Sequence, residues 1–430
     1  MDDQTGTAPA PAAAAPAGTG AVAPAGAGAV VRPVPSLPRR GTGHQVVVEL
    51  LLHGPLTRGE LGLALGLTPG SVTRAVRPLL DAGVATELAV VPGPGLGRPV
   101  TPLDVVLDRD VVVGVKITAG RVWGVVAGLR AEVLHEASTV LPSTDPLVVA
   151  DAVADLVRQL LARCPDRAVH GVGVSVGGQL DGAGHVSVAP LLGWVDVDLG
   201  TALRERLDLP VVVDNDVVSL VRAERWLGAA RDLDRFALVT VGAGLGYALV
   251  VGGEILELPS SARSPIAHVP LGIGDGVCDE GHRGCASSVL ALPAVLDRAA
   301  RALGRPAEPA EPGGSGGSGD VPDVPDVTLD DLLAAHTSGH AAATAVVEEA
   351  AEALGALLAL VADLAWPRAI VVTGDGIGLA LADRAGVDAA MRDRRAADAE
   401  PVVVDLQATG FTRWARGAAV AAVEEFVVGR

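Results

Sequence analysis

Between Thr57 and Gly83 the apolar positions fall at helical spacing in two short runs separated by Gly66-Leu67. Thr57 and Glu60 have the capping-box spacing, in which a hydroxyl and a carboxylate satisfy each other's free backbone N–H groups, and this predicts a helix start. Thr68 as N-cap and Pro69 at the first helical position predict a second helix, since proline lacks an N–H that would be unsatisfied there anyway. Along that second helix Val72, Val76, Leu79 and Leu80 share one face, whereas Ser71, Thr73, Arg74 and Arg77 project from the other. Pro78 lies inside the run and is expected to remove a hydrogen bond and kink the helix near Arg74. The next stretch, Val84 to Val91, is strand-like. It leads into Pro92-Gly-Pro-Gly-Leu-Gly-Arg98-Pro99, a stiff loop that displays one arginine. Two helices, a tight turn and such a loop predict a winged helix-turn-helix, with Ser71, Thr73, Arg74 and Arg77 toward the major groove and Arg98 toward the minor groove.

From Val111 onward the pattern changes to short β-branched runs alternating with helices, which predicts an α/β architecture. Val111–Lys116, Val122–Ala127 and Glu132–Leu141 read as strands, Leu147–Leu161 as an amphipathic helix and Val169–Val176 as a further strand. A looser version of the same sequence recurs from Phe236 to the C-terminus. Two similar α/β halves predict an actin-like fold with a cleft between them.

Composition changes this picture in three ways. With 430 residues, two or three domains are expected, and with only 2% aromatic residues the core must be aliphatic and closely packed. Net charge is −18 for the chain, yet Arg32 to Val100 carries seven arginines against four acidic residues, a local balance of +3. A basic module on an acidic body fits a DNA-binding head on a body that DNA repels, and excludes a general nucleic-acid coat. Cys164, Cys278 and Cys285 are too few for a disulfide framework, so a reducing, cytoplasmic location is expected. Residues 1–40 form an Ala/Pro-rich segment expected to be a disordered tail without signal-peptide character. Residues 41–103 would be the winged helix and 104–430 the α/β body, with a Gly/Pro/Ser-rich insertion at about 305–327. No apolar run is long and charge-free enough to suggest a membrane span.

Several motifs then fall in a specific order. Gly171-Val-Gly-Val-Ser-Val-Gly-Gly178, Leu192-Gly193-Trp194, Val211-Val-Val-Asp-Asn-Asp216 with Glu224, Val241-Gly-Ala-Gly-Leu-Gly246, and His268 with Cys278-Asp-Glu-Gly-His-Arg-Gly-Cys285 follow one another. In this arrangement the chain resembles the ROK family of repressors, open reading frames and sugar kinases, over roughly Val111 to Gly429. With its Gly-Arg-Pro wing it is similar to the family's repressor branch.

The resemblance implies a ligand cleft containing Asn215, Asp216, His268, Gly177 and Trp194, with Asp216 at the position of the kinases' general base. Departures from the family pattern separate kinase from regulator. The kinases end their first strand in an acidic residue followed by a Gly-Gly-Thr turn; this chain has Lys116-Ile117-Thr118-Ala119-Gly120, which repels a metal ion and hinders approach to phosphate. No ATP or magnesium is therefore expected, and no kinase activity. Family glutamates that contact sugar correspond to Pro265 and Ser287, so an altered sugar, a sugar derivative or no effector at all is expected. For the family's structural zinc, His268, Cys278 and Cys285 are retained and Glu280 stands at the middle cysteine; Glu280 or His282 would complete four ligands. The expected function is a sequence-specific regulator of carbohydrate-related genes, acting as a homodimer on two DNA half-sites. Its alternatives are a sugar kinase and a ligand-binding protein without DNA binding.

Overall fold

A computed structural model describes residues 37–92, 99–108, 110–256, 264, 266–305, 327–408 and 410–429. Both the tail up to residue 36 and most of the 305–327 insertion lie outside these residues, as does Arg98 of the expected wing.

Three helices, α1 (Gly41–His53), α2 (Arg58–Leu65) and α3 (Pro69–Asp81), precede a small antiparallel ribbon of β1 (Ala85–Glu87) and β2 (Leu103–Val105). The capping box forms at the start of α2: Glu60 N–H donates to Thr57 Oγ1 at 3.2 Å, and Thr57 N–H donates to Glu60 Oε2 at 2.7 Å. These hydrogen bonds hold the Glu60 carboxyl below its ordinary pKa. Gly66, at φ 64°, ends α2 in the left-handed region that side-chain-bearing residues avoid. Helix α3 begins on Thr68 as expected and continues through Pro78 to Asp81. Pro78 is exposed, so the ring sits on the solvent side and the helix is not terminated there. The expected strand 84–91 is shorter, confined to β1, with Val91 and Val100 re-pairing further out along the wing.

The first lobe contains β3 (Asp110–Ile117), β4 (Arg121–Gly128), β5 (Val133–Val140), α4 (Pro146–Leu161), β6 (Ala168–Val176), the small antiparallel sheet β7 (Gln179–Leu180), β8 (His185–Ala189) and β9 (Trp194–Asp198), then α5 (Leu199–Leu207), β10 (Val211–Asn215) and α6 (Asp216–Leu227). The second contains β11 (Arg235–Val241), β12 (Leu245–Val251), β13 (Glu254–Ile255), α7 (Ala286–Leu290), α8 (Leu292–Ala302), α9 (Leu329–Thr337), α10 (Ala341–Ala365), β14 (Ala369–Thr373), α11 (Ile377–Ala382), α12 (Arg384–Asp393) and β15 (Val403–Leu406). Helix α13 (Phe411–Val423) follows and packs back on the first lobe.

Both main sheets have five strands, ordered β10-β6-β3-β4-β5 and β13-β12-β11-β14-β15. In each, an antiparallel meander of three strands is extended by two parallel strands reached through helical crossovers. The topology is the same twice, as the repeated pattern of short apolar runs predicted.

Glycine in two strands lets α13 lie directly on the first sheet. A Cβ at Gly114 would stand 1.9 Å from the Ala415 carbonyl oxygen, and one at Gly173 1.8 Å from that of Ala418. Small residues along α13 complete this contact. One apolar core runs without interruption from Val46, Leu50, Val72 and Leu103 of the head, through Val125 and Leu129 of the first lobe, to Ala419 and Val423 of α13. Polar contacts reinforce it: Arg130, in the tight turn between β4 and β5, donates to the Leu50 and Leu51 carbonyls and to both carboxylate oxygens of Asp104.

Candidate nucleic-acid interface and ligand cleft

On α3, Val72, Val76 and Leu79 are buried while Thr73, Arg74 and Arg77 are exposed, and Leu80 is half-buried. The polar side chains are locally organised. Thr68 Oγ1 accepts from Ser71 N–H at 3.3 Å and shares a hydrogen bond with Ser71 Oγ at 2.9 Å; Arg74 Nη2 donates to Ser71 Oγ at 3.4 Å. Thr73 Oγ1 donates to the Pro69 carbonyl at 3.0 Å. Ser71 is thereby committed to the helix start, and Arg74 is steered along the exposed face. Arg77 lies 4.0 Å from Asp81, a solvent-screened pair that leaves its guanidinium available to phosphate.

The cleft side chains gather where β3, β6 and β10 end. Asn215 caps α6: its Oδ1 accepts from Val217 and Val218 N–H at 2.8 and 3.2 Å, and its Nδ2 donates to the Gly178 carbonyl at 2.8 Å. Most of its amide chemistry is spent on the fold, so Asn215 positions the start of α6 at the cleft. Asp214 binds Arg222 Nε at 3.1 Å, and Arg222 also donates to Glu424. Burial pushes the Asp214 carboxyl up despite that arginine.

Asp216 is the centre of the site, and Lys116 donates its Nζ proton to Asp216 Oδ2. The lysine side chain is 7% exposed and that of Asp216 15%. Lys116 Nζ also lies 5.1 Å from the centre of the Trp414 ring, a cation–π contact from α13. Gly177 is adjacent, for a Cβ there would stand 3.1 Å from Asp216 Oδ2. Asp375 at the end of β14 is a cleft residue that the sequence reading missed; the Thr373-Gly-Asp-Gly376 turn after a buried strand was its available signal. Its carboxyl pKa is raised by desolvation, opposed by Lys116 and assisted by Asp216, which places all three groups in one electrostatic neighbourhood. Trp194 is elsewhere: its indole is packed in the first-lobe core and donates to the Thr144 carbonyl at 2.6 Å, so the expected ligand contact is corrected to a core residue. Pro265 lies outside the described residues.

His268, Cys278, His282 and Cys285 converge in the loop before α7, with their ligand atoms all within 4.8 Å of one another. Cys278 Sγ is 3.6 Å from His268 Nδ1 and 3.7 Å from His282 Nδ1. The turn at Gly281, with Cys278 N–H donating to the His282 carbonyl, brings the two halves of the loop together. Bonds of about 2.3 Å to sulfur and about 2.0 Å to nitrogen in a tetrahedron give an S–N edge of about 3.5 Å, close to both distances. The His/Cys group thus has the donor set and spacing of a metal site. The fourth member is His282, not Glu280, because the Gly281 turn carries the histidine back over Cys278. His268 belongs to this group through Nδ1, which faces the Cys278 thiol.

The ROK family model matches residues 112–414. A transcriptional regulator of Mycobacterium bovis is 32% identical over 341 residues, 75% of this chain and 72% of that protein. The Bacillus subtilis xylose repressor is 23% identical over 55% of this chain, which spans 62% of that repressor's length. The Escherichia coli DNA-binding transcriptional repressor Mlc is 23% identical over 74% of this chain and 77% of its own. A crystal structure of a ROK family transcriptional regulator, a homolog of the Mlc protein, superposes with a TM-score of 0.71 at 22% identity, covering 90% of this chain and 96% of that one. A ROK family glucokinase from Streptomyces griseus gives 0.58 at 23% identity over 72% of this chain and 98% of its own. With the family model matched over most of its length and a mycobacterial regulator 32% identical over three quarters of it, the chain belongs to the ROK family.

Proposed function

We propose that this protein is a sequence-specific DNA-binding transcriptional repressor of sugar-related genes, in which a former sugar-kinase body serves as sensor and dimerisation module. The observation that carries the reading is the capped α2–turn–α3 unit, whose outer face presents Thr73, Arg74 and Arg77 beside a paired wing. Such a helix enters the major groove, and the wing, whose sequence carries Arg98, lies along the minor groove. Relatives with regulator and repressor names support the same assignment. Two copies would read two half-sites related by a two-fold axis, in the cytoplasm, where the operator is.

The body has lost phosphoryl transfer. A general base must be free to accept the hydroxyl proton, and Asp216 is already engaged by an ammonium group. That ammonium also stands where a metal–nucleotide would need a carboxylate, so the residues present do not fit magnesium and ATP. Asp216 and the Gly177 backbone remain as acceptors for a sugar derivative rather than plain glucose. His268, Cys278, His282 and Cys285 would hold a zinc ion, which supplies structural cross-linking of the loop ahead of α7. Among the described residues no helix is long and apolar enough to cross a membrane.

Fluorescence anisotropy on duplex from the gene's own upstream region, against scrambled duplex at physiological salt, tests the central assignment. Preferential binding with a steep salt dependence is expected. Equal binding to both duplexes would reject sequence-specific regulation from that region.

A further inference from the structure

Where the head meets the first lobe, a half-enclosed cavity of about 180 Å³ is lined by Leu51, Leu52, His53 and Gly54 at the end of α1, Arg130 in the β4–β5 turn, Trp226 at the end of α6, and Arg231 beyond it. The volume is several times the roughly 30 Å³ share of a water molecule, enough for a compact ion of a few heavy atoms. Two guanidinium groups and an imidazole line this space, and no carboxylate does.

The last carbonyls of α1 carry the partial negative charge of a helix C-terminus, and they fix both arginines in place. Arg130 spends four of its five donors on the Leu50 and Leu51 carbonyls and on Asp104. Arg231 differs. It is exposed at the mouth of the cavity, its Nη2 donates to the Leu52 carbonyl at 2.6 Å, and no ion pair is found for it among the described residues. A guanidinium carries five N–H donors in a fixed fork, so most of Arg231's donors are left for another acceptor. His53, whose Nε2 lies 3.6 Å from Glu49, adds an imidazole edge to the wall. Trp226, 9% exposed, supplies a rigid apolar floor. The ligand cleft offers the opposite setting, since its one ammonium is matched by Asp216 and flanked by Asp375.

We infer that this junction cavity is a binding site for a small oxyanion, held by the Arg231 fork against Trp226 and Gly54. Phosphate and compact carboxylates share the required chemistry, because both accept two parallel N–H bonds from one guanidinium. The site is separate from the cleft, and the proposal stands whether or not the cleft binds a sugar derivative.

Isothermal titration calorimetry on the full chain, without DNA, tests this with inorganic phosphate in one arm, succinate in a second, and chloride at matched ionic strength as reference. Saturable binding of phosphate or of succinate to one site per chain is expected, and the arm that saturates identifies the source. Arg231→Gln should weaken it at least tenfold. Arg231→Lys, which keeps the charge and a donor toward Leu52 but loses the fork, should weaken it by a smaller factor and guards against a folding defect in the first variant. Absence of saturation in both arms, or equal binding by wild type and both variants, would overturn the inference.

Discussion

The Lys116–Asp216 pair makes a quantitative prediction because the two partners differ in burial. Asp216→Asn leaves an ammonium in a site where its side chain is 7% exposed, without its carboxylate partner and with the Trp414 ring close by. Removing one member of a buried pair costs about 3–5 kcal/mol, and a retained cation–π contact offsets about 1 kcal/mol of that, so a loss of about 2–4 kcal/mol is expected. Lys116→Met leaves a more exposed carboxylate that still accepts the Val217 N–H. Its loss is expected to be about 1–2 kcal/mol, the usual cost of stranding one hydrogen-bonding group. With both changes together no uncompensated charge remains, and the double variant should lie near wild type. Urea unfolding followed by tryptophan fluorescence suits the measurement, since Trp414 contacts Lys116 and Trp123 is opposite it across the β3–β4 ladder. The expected coupling energy is about 2 kcal/mol or more. Additivity of the two single changes within about 0.5 kcal/mol would refute the reasoning, as would a larger loss for Lys116→Met than for Asp216→Asn.

Three other outcomes follow from the same geometry. Arg74→Ala should cost about 1–3 kcal/mol on the cognate duplex and flatten the ranking of operator variants, as loss of one base contact does; an unchanged ranking in anisotropy competition would reassign Arg74 to the phosphates. Protein purified without chelators should contain one zinc per chain by elemental analysis, and both Cys278→Ser and His282→Ala should lower that content while Glu280→Gln leaves it unchanged. The capping-box carboxyl of Glu60 has a folded pKa below its unfolded value, so its stabilisation is complete above the ordinary glutamate range and is lost as pH falls through the lowered value. Glu60→Gln keeps the N–H acceptor without titrating; the stability difference between wild type and this variant should therefore be constant near neutrality and change only in acid.

Elements whose cause is local were legible in the sequence. The starts of α2 and α3 are dictated by Thr57, Glu60, Thr68 and Pro69, and the structure places both helices on those residues. The strands read as 111–116, 122–127 and 169–176 appear as β3, β4 and β6 within about two residues at each end, because buried parallel and central strands are continuous β-branched runs. Side-chain commitments across the fold were not legible. Asn215 had the residue type of a ligand contact, but capping α6 depends on the backbone that follows it. Trp194 sits in a motif yet turns into the core, which periodicity in a five-residue strand does not reveal. His282 overtook Glu280 through the left-handed turn at Gly281, a three-dimensional event. Asp375, 159 residues from Asp216, joins the cleft only once the second lobe closes its sheet.

Helices α6 and α13 connect the cleft to the head without an intervening loop. The start of α6 is fixed by Asn215 and Asp216 in the cleft, and its end carries Trp226 into the cavity beneath α1. Midway, Arg222 ties Asp214 to Glu424 at the end of α13, and Glu224, almost fully buried, accepts from Arg413 at the start of α13. Beyond α13, the Val428 carbonyl lies 3.0 Å from His44 Nε2 in α1. Twelve helical residues at about 1.5 Å each span about 18 Å, so α6 reaches from Asp216 to the floor of the head. Small residues along α13 leave no slack against Gly114 and Gly173. The cleft and the floor of the head thus share one helix, with Asn215 and Asp216 at its start and Trp226 at its end, and a cleft ligand can shift the head only by as much as its affinity differs between two arrangements.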